Sequence, residues 1–316
     1  MTKCKSKGKS LYTFFYIIYI MIGTREIQIF KLLPSSESKL STQLKVSPST
    51  ISKTVNKMIK NGLAKKERQG MKVNIKISQT THAQKLETII KNFNRLPLEK
   101  ILTYSKLSII ALINYPLNKK EISQIINTSR QWTYTTIKEL SRYGIILKKQ
   151  KGLYINPTHN VLNEFANEYY RYINHQQIKK ISEDAQIIWQ HGNEFLFKTK
   201  KEIDKYPTTA VTSFSKYKLP LMGDTKYYYN TKRKLQTSDI IFHTILINPQ
   251  SKTYNLYACL LIEKTKPKDI IKKARTYNLT EHIKDITIFL QEKKSDKKFL
   301  PTWNEYTSIA EQYGVR

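Results

Sequence analysis

Residues 46–62, VSPSTISKTVNKMIKNG, recur in altered form as residues 128–144, TSRQWTYTTIKELSRYG, at a constant offset of 82. The offset holds without a gap on both sides. Pro34 meets Pro116, Leu40 meets Ile122, Leu44 meets Ile126 and Ser47 meets Ser129. Further on, Val55 meets Ile137, Met58 meets Leu140, Leu63 meets Ile145, Gly70 meets Gly152 and Val73 meets Ile155. Few residues are identical, yet turn residues meet turn residues and apolar positions meet apolar positions. The chain therefore contains an internal repeat, and the repeat decides its architecture.

In the first copy, residues 24–33 read as a short amphipathic helix with Ile27, Ile29, Phe30 and Leu33 apolar, stopped by Pro34 and two serines. A second helix over 38–45 sets Leu40 and Leu44 one turn apart. Ser47 is a good N-cap, and Pro48 at the first helical position forfeits no hydrogen bond. The helix predicted over 48–61 places Ile51, Val55, Met58 and Ile59 on one stripe, and Gly62 ends it. Its other face carries Ser49, Thr50, Ser52, Lys53, Asn56, Lys57 and Lys60, with no acid. Hydroxyls and amides can meet base edges in a major groove while lysines reach phosphates. Residues 63–68, a turn at 69–70 and residues 71–77 predict a hairpin, with Val73, Ile75 and Ile77 alternating with polar residues. Lys65, Lys66 and Arg68 cluster beside its turn. An acid-free helix face taken alone is more often an ordinary solvated surface. Helix, turn, acid-free helix, glycine and basic hairpin in this order predict a winged helix-turn-helix. A linking helix over about 80–93 follows, suited either to dimerisation or to packing on its own domain.

The second copy repeats the order with helices at 106–113 and 119–126, a turn at 127–129 and a helix at 130–143. Ile137 and Leu140 face the core with Thr133, while Arg130, Gln131, Tyr134, Thr135 and Lys138 face out. Arginine and glutamine at such a helix start suit bidentate contacts to guanine and adenine. Ser49, Thr50, Asn56, Arg130 and Gln131 are therefore the expected base contacts. Trp132 falls opposite Thr50, an outward position, although a tryptophan at a helix start more often packs under a neighbour. Residues 145–149, 150–152 and 153–155 form a shorter wing with Lys148, Lys149 and Lys151.

The 316 residues carry a net charge of +31 and are 40% hydrophobic, a composition that suits folded domains. Residues 1–175 hold 30 Lys+Arg against 9 Asp+Glu, and the remainder 25 against 15. Positive charge is thus concentrated in the repeat, as a phosphate-binding surface requires. An AT-rich genome, which favours Lys, Asn and Ile codons, accounts for part of the excess. Cys4 and Cys259 are the only cysteines, so there is neither a disulfide framework nor zinc-ligand spacing, which fits a reducing cytoplasm.

Residues 1–23 pair a basic run (Lys3, Lys5, Lys7, Lys9) with an apolar one over 11–22. The apolar run is shorter than the roughly 20 residues that span a bilayer, and no small-residue cleavage site follows. The pair imitates a signal peptide, but a start assigned upstream of Met21 is the simplest reading, with an extra packing or interfacial segment next and export last. A membrane-tethered sensor using residues 11–22 is a third functional reading.

Beyond a helix over 159–181 the pattern changes. Strand-like pieces at 187–189 and 194–198, a loop-like 206–224 and a strand at 226–229 precede apolar runs at 238–246 and 256–263. Helices at 268–277 and 281–291, a lysine-rich linker at 292–298 and a terminal helix at 300–313 complete a small mixed α/β domain. The expected class is α+β, divided as 1–23, 24–95, 96–182 and 183–316.

Residues 25–155 resemble the tandem winged helix-turn-helix regulators of archaea, in the broad MarR-like and ArsR-like sense. LSTQLKVSPSTISKTVNKMIKNGLAKKERQGMKVNIKIS carries the likeness. Residues 194–290, with KYKLPL, SDIIFHTILI and YACLLIEK, look like the C-terminal domain of AbiEi-type antitoxins and related archaeal regulators. That second resemblance implies a nucleotidyltransferase-like domain, repression of transcription and, in toxin systems, a toxin partner. Two winged domains depart from the simple antitoxin pattern and favour a regulator.

Catalysis is not expected. Residues 208–215 lack the glycine of a nucleotidyltransferase turn, and Asp204, Asp224 and Asp239 form no D-x-D pair. There is no P-loop and no G-x-G-x-x-G loop. His243 sits in an apolar run as a core histidine would, and Ser213 and Ser215 lack a G-x-S-x-G context. The expectation is a cytoplasmic DNA-binding transcriptional regulator, with no cofactor and no metal, whose partner is double-stranded DNA. A homodimer and a toxin partner remain open, and an AbiEi-like antitoxin is the alternative.

Overall fold

The computed structural model describes residues 22–315 except 71, 151 and 222. Most of the N-terminal extension and Lys151 lie outside the described residues. The chain is α+β, with short antiparallel sheets among many helices, and it divides into two compact units. Unit 1 comprises residues 1–114 and 128–173, and unit 2 comprises 115–127 and 174–316.

Unit 1 contains helices α1 (Thr24–Lys31), α2 (Glu37–Leu44) and α3 (Pro48–Lys60), then strands β1 (Ala64–Gln69) and β2 (Lys72–Ile77) and helix α4 (Thr81–Asn92). Local chemistry sets the boundaries. Glu26 turns back to accept the Gly23 N–H at 3.0 Å. Ser36 caps α2 and Ser47 caps α3, with Pro48 in the first turn. Ile51, Val55 and Met58 are fully buried, as their stripe requires, whereas Ile59 is only half-buried. The β1–β2 register runs from Ala64 opposite Ile77 to Gln69 opposite Lys72. Ser35 exchanges hydrogen bonds with Ile75 at 3.0 and 2.8 Å, pinning the hairpin to the turn after α1. Of the expected alternation along β2 only Ile75 shows, being buried; Val73 is 43% exposed, and Ile77 is half-buried like its polar neighbours Asn74 and Lys76. Val73 lies toward the hairpin tip, beyond the reach of the core.

The rest of unit 1 contains α5 (Leu98–Ile101), α6 (Tyr104–Leu112), α8 (Arg130–Arg142), β3 (Ile146–Lys149), β4 (Gly152–Ile155) and most of α9 (Asn160–Ile178). Helix α7 (Lys119–Ile126) belongs to unit 2. On α6, Leu107, Ile109, Ile110, Ala111 and Leu112 are all buried, so the helix has little solvent face. Ser129 caps α8, and Thr133, Thr136, Ile137 and Leu140 face inward. The two threonines are tolerated there because their hydroxyls donate to the Ser129 and Trp132 carbonyls at 3.1 and 2.9 Å.

Left-handed backbone recurs at the repeat offset. Lys45 and Asn127 have φ of 52° and 55°, and Gly62 and Gly144 have φ of 70° and 69°. The two copies therefore share turn conformations as well as helix order.

Unit 2 adds to α7 a three-stranded antiparallel sheet, β5 (Gln186–His191), β6 (Glu194–Thr199) and β7 (Lys226–Asn230), in that order. A 3₁₀ segment, Ala210–Tyr217, interrupts the expected loop. Helices α10 (Thr237–Ile247), α11 (Lys252–Thr265), α12 (Ile270–Ala274), α13 (Thr280–Glu292) and α14 (Trp303–Gln312) follow. Alternation along the strands feeds two cores. Leu196 and Tyr229 join α10, α11, α13 and α14 in the larger one, and Phe195, Phe197 and Tyr228 join Ile178 in the smaller.

Candidate nucleic-acid interface

On α3 the exposed residues Ser49, Lys53, Asn56 and Lys60 follow one another at spacings of four, three and four, one stripe of a helix. Thr50, Ser52 and Lys57 flank it half-buried. Three hydroxyls cluster at its N-terminal end: Ser47 Oγ lies 3.2 Å from Ser49 Oγ and 2.9 Å from Thr50 Oγ1. Thr50 is thus engaged in the cap. Lys57 points into the fold instead, where it forms an ion pair with the buried Glu26.

The hairpin adds Lys65, half-buried, and Lys66 and Arg68, both exposed. Lys66 reaches Glu37 at 3.0 Å and the Asn56 amide oxygen at 3.3 Å, leaving the Asn56 NH2 group available to donate. Arg68 donates its Nε–H to the Gly70 carbonyl at 3.1 Å, which folds its stem along the hairpin tip.

The second stripe lies on α8. Arg130, Gln131, Tyr134, Thr135 and Lys138 are exposed and Trp132 is half-buried. Thr135 spends its hydroxyl proton on the Gln131 carbonyl at 3.0 Å. Arg142, also exposed, continues the stripe and was not among the expected residues. The signal that finds it is the repeat itself, since Gln131, Thr135, Lys138 and Arg142 stand 82 residues after Ser49, Lys53, Asn56 and Lys60. In the second hairpin Lys148 and Lys149 are exposed, and Lys149 sits over the Tyr154 ring at 5.4 Å.

Unit 1 holds no aspartate, and each of its eight glutamates faces a cation. Glu26 meets Lys57, Glu37 Lys66, Glu67 Lys76, Glu87 Lys91, Glu99 Lys31, Glu139 Lys106, Glu164 Lys85 and Glu168 Arg171. Such pairs add little stability at a surface. Their electrostatic effect is larger, because no unopposed carboxylate weakens the field of the outward lysines and arginines.

Unit 2 holds a buried polar cluster that sequence reading missed. Asp239, fully buried in the first turn of α10, accepts on Oδ2 from Arg233 Nη1 (2.8 Å), Lys273 Nζ (2.7 Å) and the Gln236 N–H (2.8 Å). Its Oδ1 accepts from the Tyr277 hydroxyl at 2.6 Å. Burial would raise this carboxyl, but Arg233 and then Lys273 outweigh burial and hold it well below the usual range. Glu194, 3.5 Å from Arg233 Nε, is raised because burial dominates there. One turn beyond Asp239, His243 is fully buried with Nδ1 2.6 Å from Thr209 Oγ1, and burial pushes it down to about 3. Glu194, Arg233 and Lys273 are far apart in sequence, and nothing in their spacing marks them as partners.

Among the described residues, no group of three or more His, Cys, Asp or Glu side chains could hold a metal ion, and no helix is long and apolar enough to cross a membrane. Residues 203–315, which include all of this cluster but Glu194, match a family model described as HVO_2833_C, C-terminal. No curated protein and no solved structure matches the chain.

Proposed function

We propose that the chain is a sequence-specific DNA-binding transcriptional regulator, built from two winged helix-turn-helix domains and a C-terminal nucleotidyltransferase-like domain without catalytic function. The observation that carries this reading is the pair of acid-free stripes on α3 and α8, each followed by a basic hairpin, in a unit whose glutamates are all paired. In this reading Ser49 and Asn56 on α3 and Arg130 and Gln131 on α8 meet base edges, while Lys53, Lys60, Lys65, Arg68, Lys148 and Lys149 neutralise phosphates. Unit 2 then serves sensing, dimerisation or a protein partner such as a toxin.

Fluorescence anisotropy with duplex DNA tests the reading. Log K should fall linearly with log salt, at about 0.9 per phosphate neutralised. Lys53→Glu with Lys60→Glu should abolish binding while leaving the circular-dichroism spectrum intact. A flat salt dependence, or full affinity in the double variant, would overturn it.

A further inference from the structure

We propose that a single copy of this chain reads a non-palindromic duplex composed of two unlike half-sites, one under α3 and one under α8. The proposal rests on the DNA-binding reading above and specifies its substrate.

The two stripes occupy the same register but differ in chemistry at every step. Ser49 is replaced by Gln131, Lys53 by Thr135, Asn56 by Lys138 and Lys60 by Arg142. A glutamine at the helix start suits the N6 and N7 edge of adenine, whereas a serine hydroxyl accepts more than one base. Palindromic operators arise when two identical heads are related by a two-fold axis, so that each half-site meets the same side chains. Here two heads come from one chain, and a palindrome would present one sequence to two unlike faces.

Helix α9 ties the heads together. On the side of the first copy, its Tyr172 ring lies 4.8 Å from the His82 ring, and Tyr169 lies 5.7 Å from the same ring. His82 in turn bonds the Asn61 carbonyl, at the end of α3, at 2.9 Å. Lys85 of α4 pairs with Glu164 at 2.6 Å. On the side of the second copy, the Tyr170 and Ser108 hydroxyls meet at 2.5 Å, and Asn163 donates to the Ile110 carbonyl at 2.6 Å. The Asn114 and Asn167 amides exchange hydrogen bonds at 3.1 and 2.6 Å. From α6, Lys106 reaches Glu139 on α8 at 2.6 Å. Packed rings and hydrogen bonds thus run without a break from the end of α3 through α9 to α8. Two reading helices on one such spine keep a fixed separation, which makes the spacing between half-sites a property of the monomer.

The test is selection from a randomised duplex library with the full chain, followed by native mass measurement of the complex. The expected motif has two unlike halves and binds one chain. Asn56→Ala and Gln131→Ala should each relax discrimination about tenfold, in different halves of the motif. A palindromic motif holding two chains would overturn the inference while leaving the DNA-binding reading standing. So would relaxation of the same base pairs by both variants. Failure to enrich any sequence, with no measurable duplex affinity, would overturn the inference and the reading together.

Discussion

Lys57 of α3 is ion-paired with Glu26 of α1, whose carboxylate also accepts the Gly23 N–H. A lysine on the helix expected to meet DNA is therefore part of the contact that seats that helix. Lys57→Ala should destabilise the fold by about 2 kcal/mol, because it leaves a buried carboxylate without its cation. Lys53→Ala, an exposed change, should leave stability within about 0.5 kcal/mol and lower the salt slope of DNA binding by about 1. Urea denaturation and anisotropy on the same samples separate the two effects. Equal stability of both variants would refute the role given to Glu26.

Gly62 and Gly144 share a left-handed backbone but not their surroundings. A Cβ on Gly62 would lie 2.7 Å from Tyr172 Cζ, whereas one on Gly144 would meet nothing within 4 Å. Gly144→Ala should cost about 1 kcal/mol from backbone strain alone. Gly62→Ala should cost about 1 kcal/mol more, since Tyr172 must leave its tilted ring contact with His82. In a Tyr172→Ala background that excess should vanish, and a double-mutant cycle by thermal unfolding reads it directly.

Asp239 compensates two cations that are each less than one-fifth exposed. Asp239→Asn removes the charge without changing the volume. Urea unfolding should show a loss of about 3 kcal/mol, the scale for stranding one side of a buried ion pair. A loss below about 1 kcal/mol would mean that water already screens Arg233 and Lys273.

Acid should weaken unit 2 through His243. Its ordinary value is 6.5 and burial lowers it to about 3 in the folded chain. Between those values the unfolded chain binds a proton that the folded chain does not, so stability falls as pH falls. Thr209, Tyr229, Tyr277, Asp239, Arg233 and Lys273 surround or act on the ring. The lowered Asp239 adds a loss at still lower pH, whereas the raised Glu194 acts above its ordinary 4.5 and offsets part of the histidine's loss. From pH 7 to pH 4 the histidine should account for ~3 kcal/mol. His243→Gln should be less stable than the parent at pH 7 and lose less on acidification. Parallel stability curves would refute this account.

Where the chain carries its own punctuation, its elements were legible. Ser47-Pro48 and Gly62 bound α3, Asn127 and Ser129 bound the turn before α8, and α3, α7 and α8 appear within one residue of their expected ends. Partners distant in sequence were not legible. Nothing in the spacing of Glu26 and Lys57 reveals that they meet, because any lysine on an amphipathic helix can sit at the edge of either face. Residues 238–246 are buried throughout, polar Ser238, Asp239, His243 and Thr244 included, so no solvent face marks the helix that forms there by its period. The Asp239 cluster draws on charged residues from separate elements of a lysine-rich chain, where each looks like surface until the fold brings them together.

Helix α9 passes from unit 1 to unit 2 at Ile173, and the chain crosses between the units twice more, around residues 114 and 127. Tyr115 is anchored within unit 2, its hydroxyl donating to the Thr276 carbonyl at 2.5 Å. No single cut therefore separates the units. A fragment ending at 173 keeps residues 115–127 without the body they pack with, and a fragment starting at 174 lacks α7. Dissection of this protein by truncation damages both pieces, so point substitutions in the full-length chain are the sound way to assign a property to either unit.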